Sequence, residues 1–383
     1  MTTATRTLTR LSKSVVGEAE AAALAEVIRD GRLGMGSFVA LFEQDLSRYI
    51  GGNRHVVCVN TGTAALHLAL QACGIGAGDE VLVPTITYLA SFQAISATGA
   101  TPVACDVREA DCSLDVADAA RRLTHRTRAI MPVHYASGPG SLAETYEFAF
   151  RHGLRVVEDA AHAFGCRSDG GERVGARGDV VCFSFDGIKN ITCGEGGAVV
   201  TGDETVAQAI RDGRLLGVEN DTEKRLAGTR SWEFDVHHQG WRYHMSNLNA
   251  AIGRVQLGRF ENEFAPKRVA LARRYRALLS SCAPALRTLA IDYGPAVPHI
   301  FPVVIEDGRR DAVRKALLAD GVECGIHYKP NHLLSLYGGG SVNLPAAEAL
   351  YDKLLTLPLH PDLSNEDVEH VAAIVTSTLA ESR

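Results

Sequence analysis

Apolar positions fall into two textures along the 383-residue chain. Over the first two-thirds, short β-branched runs alternate with helical stretches. The runs Val56–Asn60, Glu80–Pro84, Thr101–Val107, Ala129–Tyr135, Arg155–Ala160, Val180–Phe185 and Gly196–Thr201 are nearly continuous in apolar residues. That is the pattern of strands covered on both faces. Between them, Thr63–Cys73, Ser91–Ala97, Leu114–Leu123 and Ser141–His152 carry apolar residues at helical spacing. The alternation predicts a layered α/β fold built on a mainly parallel seven-stranded sheet between helices. The run ending in GGAVVT follows its predecessor too closely for a crossover helix, so that strand is expected to run antiparallel.

After about residue 250 the texture changes. Asn249–Leu278 reads as one long helix or a kinked pair, interrupted near Pro266. A short strand around His299–Ile305 and a helix over Arg309–Ala319 follow. A Gly/Pro-rich stretch, Tyr328–Pro345, then precedes helices at Ala346–Leu355 and Asn365–Thr378. The expected organisation is a large domain over residues 1–250 and a smaller α+β domain over 251–383. No internal repeat or low-complexity segment is present.

Charge and cysteine content narrow the setting. Lys plus Arg number 39 against 45 Asp plus Glu, a formal charge of −6, which gives no reason to expect nucleic acid or an anionic membrane as a partner. No apolar run approaches the roughly 20 residues that a membrane-spanning helix needs. The nine cysteines are odd in number, form no CxxC pair and lie largely in apolar strand-like runs, as expected of buried thiols in a reducing cytoplasm. The first 16 residues are basic, Thr-rich and free of acids, a trait shared with transit peptides. They lack the apolar core of a secretory signal and read as a frayed terminus.

Ligands of open α/β sheets bind beyond the carboxyl ends of the strands, so the residues that follow each strand are the candidates for chemistry. Thr61-Gly62-Thr63-Ala64 opens a helix directly after the first strand. Small residues and open amides there suit a phosphate, although Thr-Gly-Thr is also an ordinary N-cap with a turn. Tyr88 follows the second strand and places an aromatic ring on the same rim. Glu158 and Asp159 end another apolar strand, where a buried carboxylate must find a cation or donors, and His162 follows three residues on. Lys189 sits in the loop Ser184-Phe185-Asp186-Gly187-Ile188-Lys189-Asn190, before Gly194-Glu195-Gly196-Gly197. A lysine confined between two buried strands can have its pKa lowered and act as a Schiff-base nucleophile. A phosphate cradle, an aromatic face, a carboxylate and an amine on one rim match the needs of pyridoxal 5′-phosphate.

The runs NTGTAALHLAL, VVEDAAHAFG, FSFDGIKN…GEGGAVVT and GWRYHMSNLNAAIGRVQL resemble the DegT/DnrJ/StrS family of sugar aminotransferases. GSFVALFEQDLSRYIG, HYKPNH and LPLHPDLSNEDVEHV extend the resemblance over roughly residues 14 to 378. It implies the fold-type I architecture of pyridoxal phosphate enzymes. By matched position, Lys189 is implied as the Schiff-base lysine and proton shuttle, and Asp159 as the partner of the pyridinium nitrogen. Gly62, Thr63, Ala64 and Ser184 are implied at the phosphate, Tyr88 on the ring face, and His162 beside the ring and its phenolic oxygen. His327 and Tyr328 are candidate contacts to the acceptor. The family also implies a homodimer whose sites are shared, with the segment Asp235–Asn249 lent to the neighbour.

Two departures from the family pattern stand out. A Gly-x-Asn-x-Arg pattern, whose Asn reaches the neighbour's phosphate, reads here Gly240-Trp241-Arg242-Tyr243-His244. Arg242 could hold the cofactor phosphate as a charge-assisted donor, or equally a phosphate or carboxylate of the substrate. The lysine is preceded by Asp186-Gly187-Ile188, where Tyr or His followed by Pro is frequent, which bears on the sugar subclass. His237, His238 and His244 have mixed spacing and read as polar interface residues; no metal site is expected. The expected reaction moves an amino group from an amino acid, glutamate, to a nucleotide-linked keto-deoxysugar, as in deoxyaminosugar biosynthesis. A pyridoxamine phosphate-dependent sugar dehydratase or lyase, or an aminotransferase acting on a keto-cyclitol, are the alternatives. Dehydratase branches replace the lysine with histidine, so Lys189 favours amino transfer.

Overall fold

The computed structural model describes residues 8–168, 170–219, 221 and 234–381. Seven strands form one sheet: β1 (His55–Val59), β2 (Glu80–Pro84), β3 (Thr101–Cys105), β4 (Thr127–Ile130), β5 (Arg155–Asp159), β6 (Val180–Ser184) and β7 (Gly197–Thr201). Their order is β1-β7-β6-β5-β4-β2-β3. Parallel pairing runs from β6 through β5, β4 and β2 to β3, whereas β7 is antiparallel to both β1 and β6. The single reversed strand is the one whose short connection left no room for a helix.

Helices α1 (Glu18–Asp30), α2 (Ser37–Ile50), α3 (Gly62–Ala72), α4 (Leu89–Ala97), α5 (Val116–Arg122), α6 (Leu142–His152) and α7 (Glu204–Gly213) surround this sheet. Helix α3 is buried from Ala64 to Leu70 because α4, α7 and the sheet pack around it, which is why its sequence is apolar with little amphipathic contrast. The strand expected over Ala129–Tyr135 is shorter: Pro132 cannot donate to a ladder, and the chain turns at Tyr135–Ser137.

Helices α8 (Asn247–Arg259) and α9 (Ala265–Leu279) flank a π-helical turn at Phe260–Phe264. The break precedes Pro266, whose ring clashes with the carbonyl four residues back in a regular helix. A second sheet, in the order β10-β9-β8, is made by β8 (Leu286–Thr288), β9 (Phe301–Ile305) and β10 (Leu354–Leu357). It packs with α10 (Arg310–Ala319), α11 (Pro345–Tyr351) and α12 (Asn365–Glu381). The helix expected over Ala346–Leu355 therefore ends at Tyr351, and its last residues join β10. Pairing of Leu354 with Val304 and of Leu355 with Val303 buries them as strand residues, so tertiary pairing overrides helical propensity.

The frayed terminus expected for the first 16 residues needs correcting where it can be seen; residues 1–7 lie outside the described residues. Thr9 is buried and pairs with Val322 as a parallel bridge. The Leu11 amide donates to Glu323 at 3.0 Å and its carbonyl accepts from Leu359. Lys13 meets Asp362 at 2.6 Å, and the Ser14 hydroxyl donates to the Gly187 carbonyl. The backbone of this segment has acceptors waiting on another element, so it is ordered. All nine cysteines are free thiols, seven of them buried. Among the described residues no helix is long and apolar enough to cross a membrane.

Candidate active site

The carboxyl ends of β1, β5 and β6 and the start of α3 meet along one edge of the large sheet. Gly197 stands opposite both Val59 and Ser184 in the ladders. A Cβ there would lie 2.5 Å from the Thr61 carbonyl oxygen, so glycine lets the chain leave β1 and enter α3 hard against the sheet. Thr61 caps the helix: its hydroxyl accepts from the Ala64 amide at 3.0 Å and its carbonyl from the Ala65 amide. The next two amides, of Gly62 and Thr63, have no acceptor in the helix, and both residues line the cavity. A Cβ at Gly62 would sit 2.8 Å from Ser184 Cβ and 3.0 Å from its Oγ. The glycine is thus what brings two open amides and a hydroxyl to one point. Ala64, expected in the same cradle, is not part of it, because its amide is committed to the cap and its side chain is buried.

Strand alternation separates the two acids that end β5. Glu158 points to one face, where it accepts from Tyr146 at 2.6 Å and meets His134 Nε2 at 2.7 Å. Asp159 points to the other face, into the cavity. One oxygen accepts from Ser91 Oγ at 2.7 Å and the other from the Ala161 amide at 3.1 Å. Ser91 is itself oriented by Thr87 at 2.8 Å. Two donors fix a carboxylate that is only 5% exposed.

Lys189 projects from the β6–β7 loop, where its amide bonds the Asp186 carbonyl at 3.1 Å. Burial lowers its pKa to about 8, against the opposing pull of the Asp159 and Asp186 charges. With that pKa roughly a tenth of the amine is free base at neutral pH, several hundred times the fraction of an ordinary lysine, and the free base is the state a nucleophile or proton acceptor requires.

The opposite wall comes from distant parts of the chain. His299, Ile300, His327, Tyr328, Thr356, Leu357 and Leu359 contribute to it, and Leu11 and Ser12 arrive from the amino-terminal segment. His162 Nε2 lies 3.1 Å from the Tyr328 hydroxyl, and its ring is 4.6 Å from that of His299. His327 Nδ1 meets Thr356 Oγ1 at 2.9 Å, and burial together with Lys189 lowers its pKa to about 4. Tyr88 is 61% exposed at the cavity mouth, its ring 5.7 Å from that of Tyr328. The cavity so enclosed has a volume of about 380 Å³.

Most of the residues singled out from sequence therefore surround one cavity: Gly62, Thr63, Tyr88, Asp159, His162, Ser184, Lys189, His327 and Tyr328. Arg242 does not line it. Its backbone pairs with Leu215 as an isolated bridge and its side chain is exposed. Sequence reasoning missed Ser91, His299, Leu11 and Ser12. For Ser91, its position on the helix after the second strand was a usable signal; the others carry none at the level of local pattern.

This donor set suits pyridoxal 5′-phosphate: a phosphate cradle that a Cβ would fill, a held carboxylate for a ring nitrogen, and an amine for an aldehyde. The comparisons agree. Residues 15–376 match the model of the DegT/DnrJ/EryC1/StrS aminotransferase family. Among solved structures, the aminotransferase TlmJ from Streptoalloteichus hindustanus is 34% identical, covering 97% of this chain and 99% of that one, with a TM-score of 0.88. DesV from S. venezuelae, solved in complex with a ketimine intermediate, is 36% identical over 94% of each chain, with a TM-score of 0.85. The putative sugar aminotransferase Spr1654 from Streptococcus pneumoniae, in its PLP form, is 27% identical over 97% and 99%, with a TM-score of 0.89. The chain is a pyridoxal phosphate-dependent transaminase and belongs to the DegT/DnrJ/EryC1/StrS aminotransferase family.

Proposed function

We propose that this transaminase carries an amino group from glutamate to the keto group of a nucleotide-linked deoxysugar, with Lys189 as its catalytic residue. The observation that carries the reading is the Lys189 amine, depressed to a pKa of about 8 and facing the same cavity as the donor-held Asp159. When bound, pyridoxal phosphate supplies an electrophilic carbonyl and an electron-withdrawing ring on which the amino group is carried. The Gly62 and Thr63 amides and the Ser184 hydroxyl hold its phosphate. Asp159, fixed by Ser91 and the Ala161 amide, keeps the ring nitrogen protonated. Tyr88 and His162 orient the ring, and His327 and Tyr328 meet the acceptor. Lys189 Nζ accepts and returns the proton that each half of the exchange must move.

The relatives support a sugar acceptor: Spr1654 is described as a putative sugar aminotransferase. A retained lysine supports transfer over dehydration. The large domain, divided from the small one near residue 250, supplies the sheet-edge wall, and the small domain together with the amino-terminal segment at Leu11 and Ser12 supplies the other. Two copies complete each other's site, with Arg242 lent to the neighbour as a fixed cation for a phosphate or carboxylate; its exposure outside its own cavity supports this. Nine free thiols support work in the cytoplasm.

The test is spectroscopic. Protein loaded with pyridoxal phosphate is mixed with glutamate, and then with nucleotide-linked keto-sugars and keto-cyclitols in turn. Loss of the visible cofactor band with glutamate, and its return with a keto-sugar, is expected. A band indifferent to every amino donor would replace transfer with dehydration.

A further inference from the structure

One buried group on the cavity wall has no place in that account. His299 is 4% exposed, and its Nε2 lies 3.4 Å from Lys189 Nζ. Its Nδ1 is buried and has no hydrogen-bond partner among the described residues. The His299 backbone is held at both its amide and its carbonyl. Its backbone amide donates to Ser137 Oγ at 3.0 Å, and the Ser137 hydroxyl donates to the His162 carbonyl. Its carbonyl accepts from Arg268 Nη1 at 3.2 Å, while Nη2 of the same guanidinium donates to the Lys189 carbonyl at 3.4 Å. Arg268, 1% exposed, thus ties the backbones of His299 and Lys189 to one planar group. Ala136 and Ser137 reach this arrangement with φ of +50° and +74°, a left-handed conformation that non-glycine residues hold only when their surroundings enforce it.

We propose that His299 is a positioning residue for Lys189: its Nε2–H donates to the lone pair of the lysine amine and favours the free base. The inference rests on the reading of Lys189 as the reacting amine. The assignment of the proton follows from the unequal cost of leaving polar atoms unpaired. A buried N–H without an acceptor is rarer than a bare lone pair. The partnerless Nδ1 is therefore the bare nitrogen, and Nε2, which faces the amine, carries the hydrogen. The imidazole is neutral because burial, Lys189, His162, Arg268 and His327 all disfavour its cation. The amine in turn faces the Asp159 and Asp186 carboxylates, which pull toward the ammonium, and Arg268, which opposes it. A neutral donor at 3.4 Å tips that contest toward the amine, whenever Lys189 is free, without placing another charge in the cavity.

The test uses the apoprotein and does not depend on turnover. Reductive methylation with formaldehyde and cyanoborohydride, followed at the Lys189 peptide by mass spectrometry, reads the pH midpoint of its reactivity. His299→Met removes the donor at similar volume, and the midpoint is expected to rise by about half a pH unit or more. His299→Gln, which retains an N–H, is expected to stay near the parent. Equal midpoints in all three proteins, a fall in His299→Met, or an equal rise in both variants would each overturn the proposal. Nitrogen-15 histidine spectra of the parent apoprotein give a readout that no variant's folding can spoil. A neutral His299 protonated at Nε2 is expected at pH 6, and the Nδ1–H tautomer or a cation overturns the proposal. Borohydride trapping of the loaded parent maps the lysine that holds the cofactor. A different lysine there would defeat the reading of Lys189 itself, separately from the midpoint.

Discussion

The cavity has two walls of different origin. One is the edge of the large sheet, where Gly62 and Thr63 open a helix, Asp159 and Ser184 end strands, and Lys189 stands in the loop after one of them. The other is assembled from Leu11, Ser12, His299, His327, Tyr328, Thr356 and Leu359, residues separated by up to about 350 positions along the chain. The first wall is built by local rules: strands end, a glycine permits close approach, and a helix start exposes amides. The second exists only because a small sheet, a turn and the amino-terminal segment are packed over the first. The reacting amine and the held carboxylate sit on the local wall, and the assembled wall closes over them, bringing His299 to 3.4 Å from the amine.

The contrast is open to experiment, and the largest effect should come from the local wall. Lys189→Ala is expected to slow the glutamate half-reaction by about 10³-fold or more, on the scale of a lost general acid–base group. Rapid-mixing absorbance measures it; a loss under tenfold would remove the lysine from the mechanism. Asp159→Ala should follow at about 10²-fold, on the proposal that this carboxylate keeps the ring nitrogen protonated.

Gly62→Ala tests the cradle. Its methyl would press on Ser184, and cofactor affinity is expected to fall roughly tenfold, the scale of about 1–2 kcal/mol of overpacking. Fluorescence titration of the apoprotein with pyridoxal phosphate gives the value, and unchanged affinity would separate the helix start from the phosphate.

The pH dependence sharpens the same wall. The Lys189 pKa is depressed, to about 8 from an ordinary 10.5, so in the folded apoprotein the reactive free amine is lost as pH falls through about 8. Uptake of pyridoxal phosphate should therefore accelerate from pH 6 to about 8.5 and level off above it. A midpoint near 10.5 would mean that burial does not govern the amine.

The smallest effect is expected on the assembled wall. Ser12→Ala should raise KM for the keto-sugar about two- to fivefold and leave cofactor affinity and the glutamate half-reaction unchanged, the signature of a lost acceptor contact. If cofactor affinity fell instead, the two walls would not divide the work as described.

The strand-and-helix rhythm up to Thr201 was legible in the sequence, including the reversal of β7, because buried strands and crossover helices leave local periodicities. Lys189 and Asp159 were legible for a related reason: a charged group set against an apolar run stands out. Arg242 was legible only as a departure, and it lies outside its own chain's cavity. The sequence misjudged Leu354–Leu355 as helix, because the partner that makes them a strand lies 50 residues away at Val303 and Val304. It likewise misjudged Thr9–Ser14 as loose, because the carbonyls, amides and carboxylates that hold that segment belong to residues beyond 180.

Sequence alone thus determined the sheet, the helix start at Gly62, the acid at 159 and the amine at 189, all of which depend on neighbours within a few residues. Tertiary structure decided what surrounds the amine. The separation of His299 from Lys189, the bracing of both by Arg268 and Ser137, and the arrival of Leu11 and Ser12 at the cavity are long-range contacts. No local pattern encodes them, because hydrogen bonding and burial act on distance in space, and distance along the chain does not measure it.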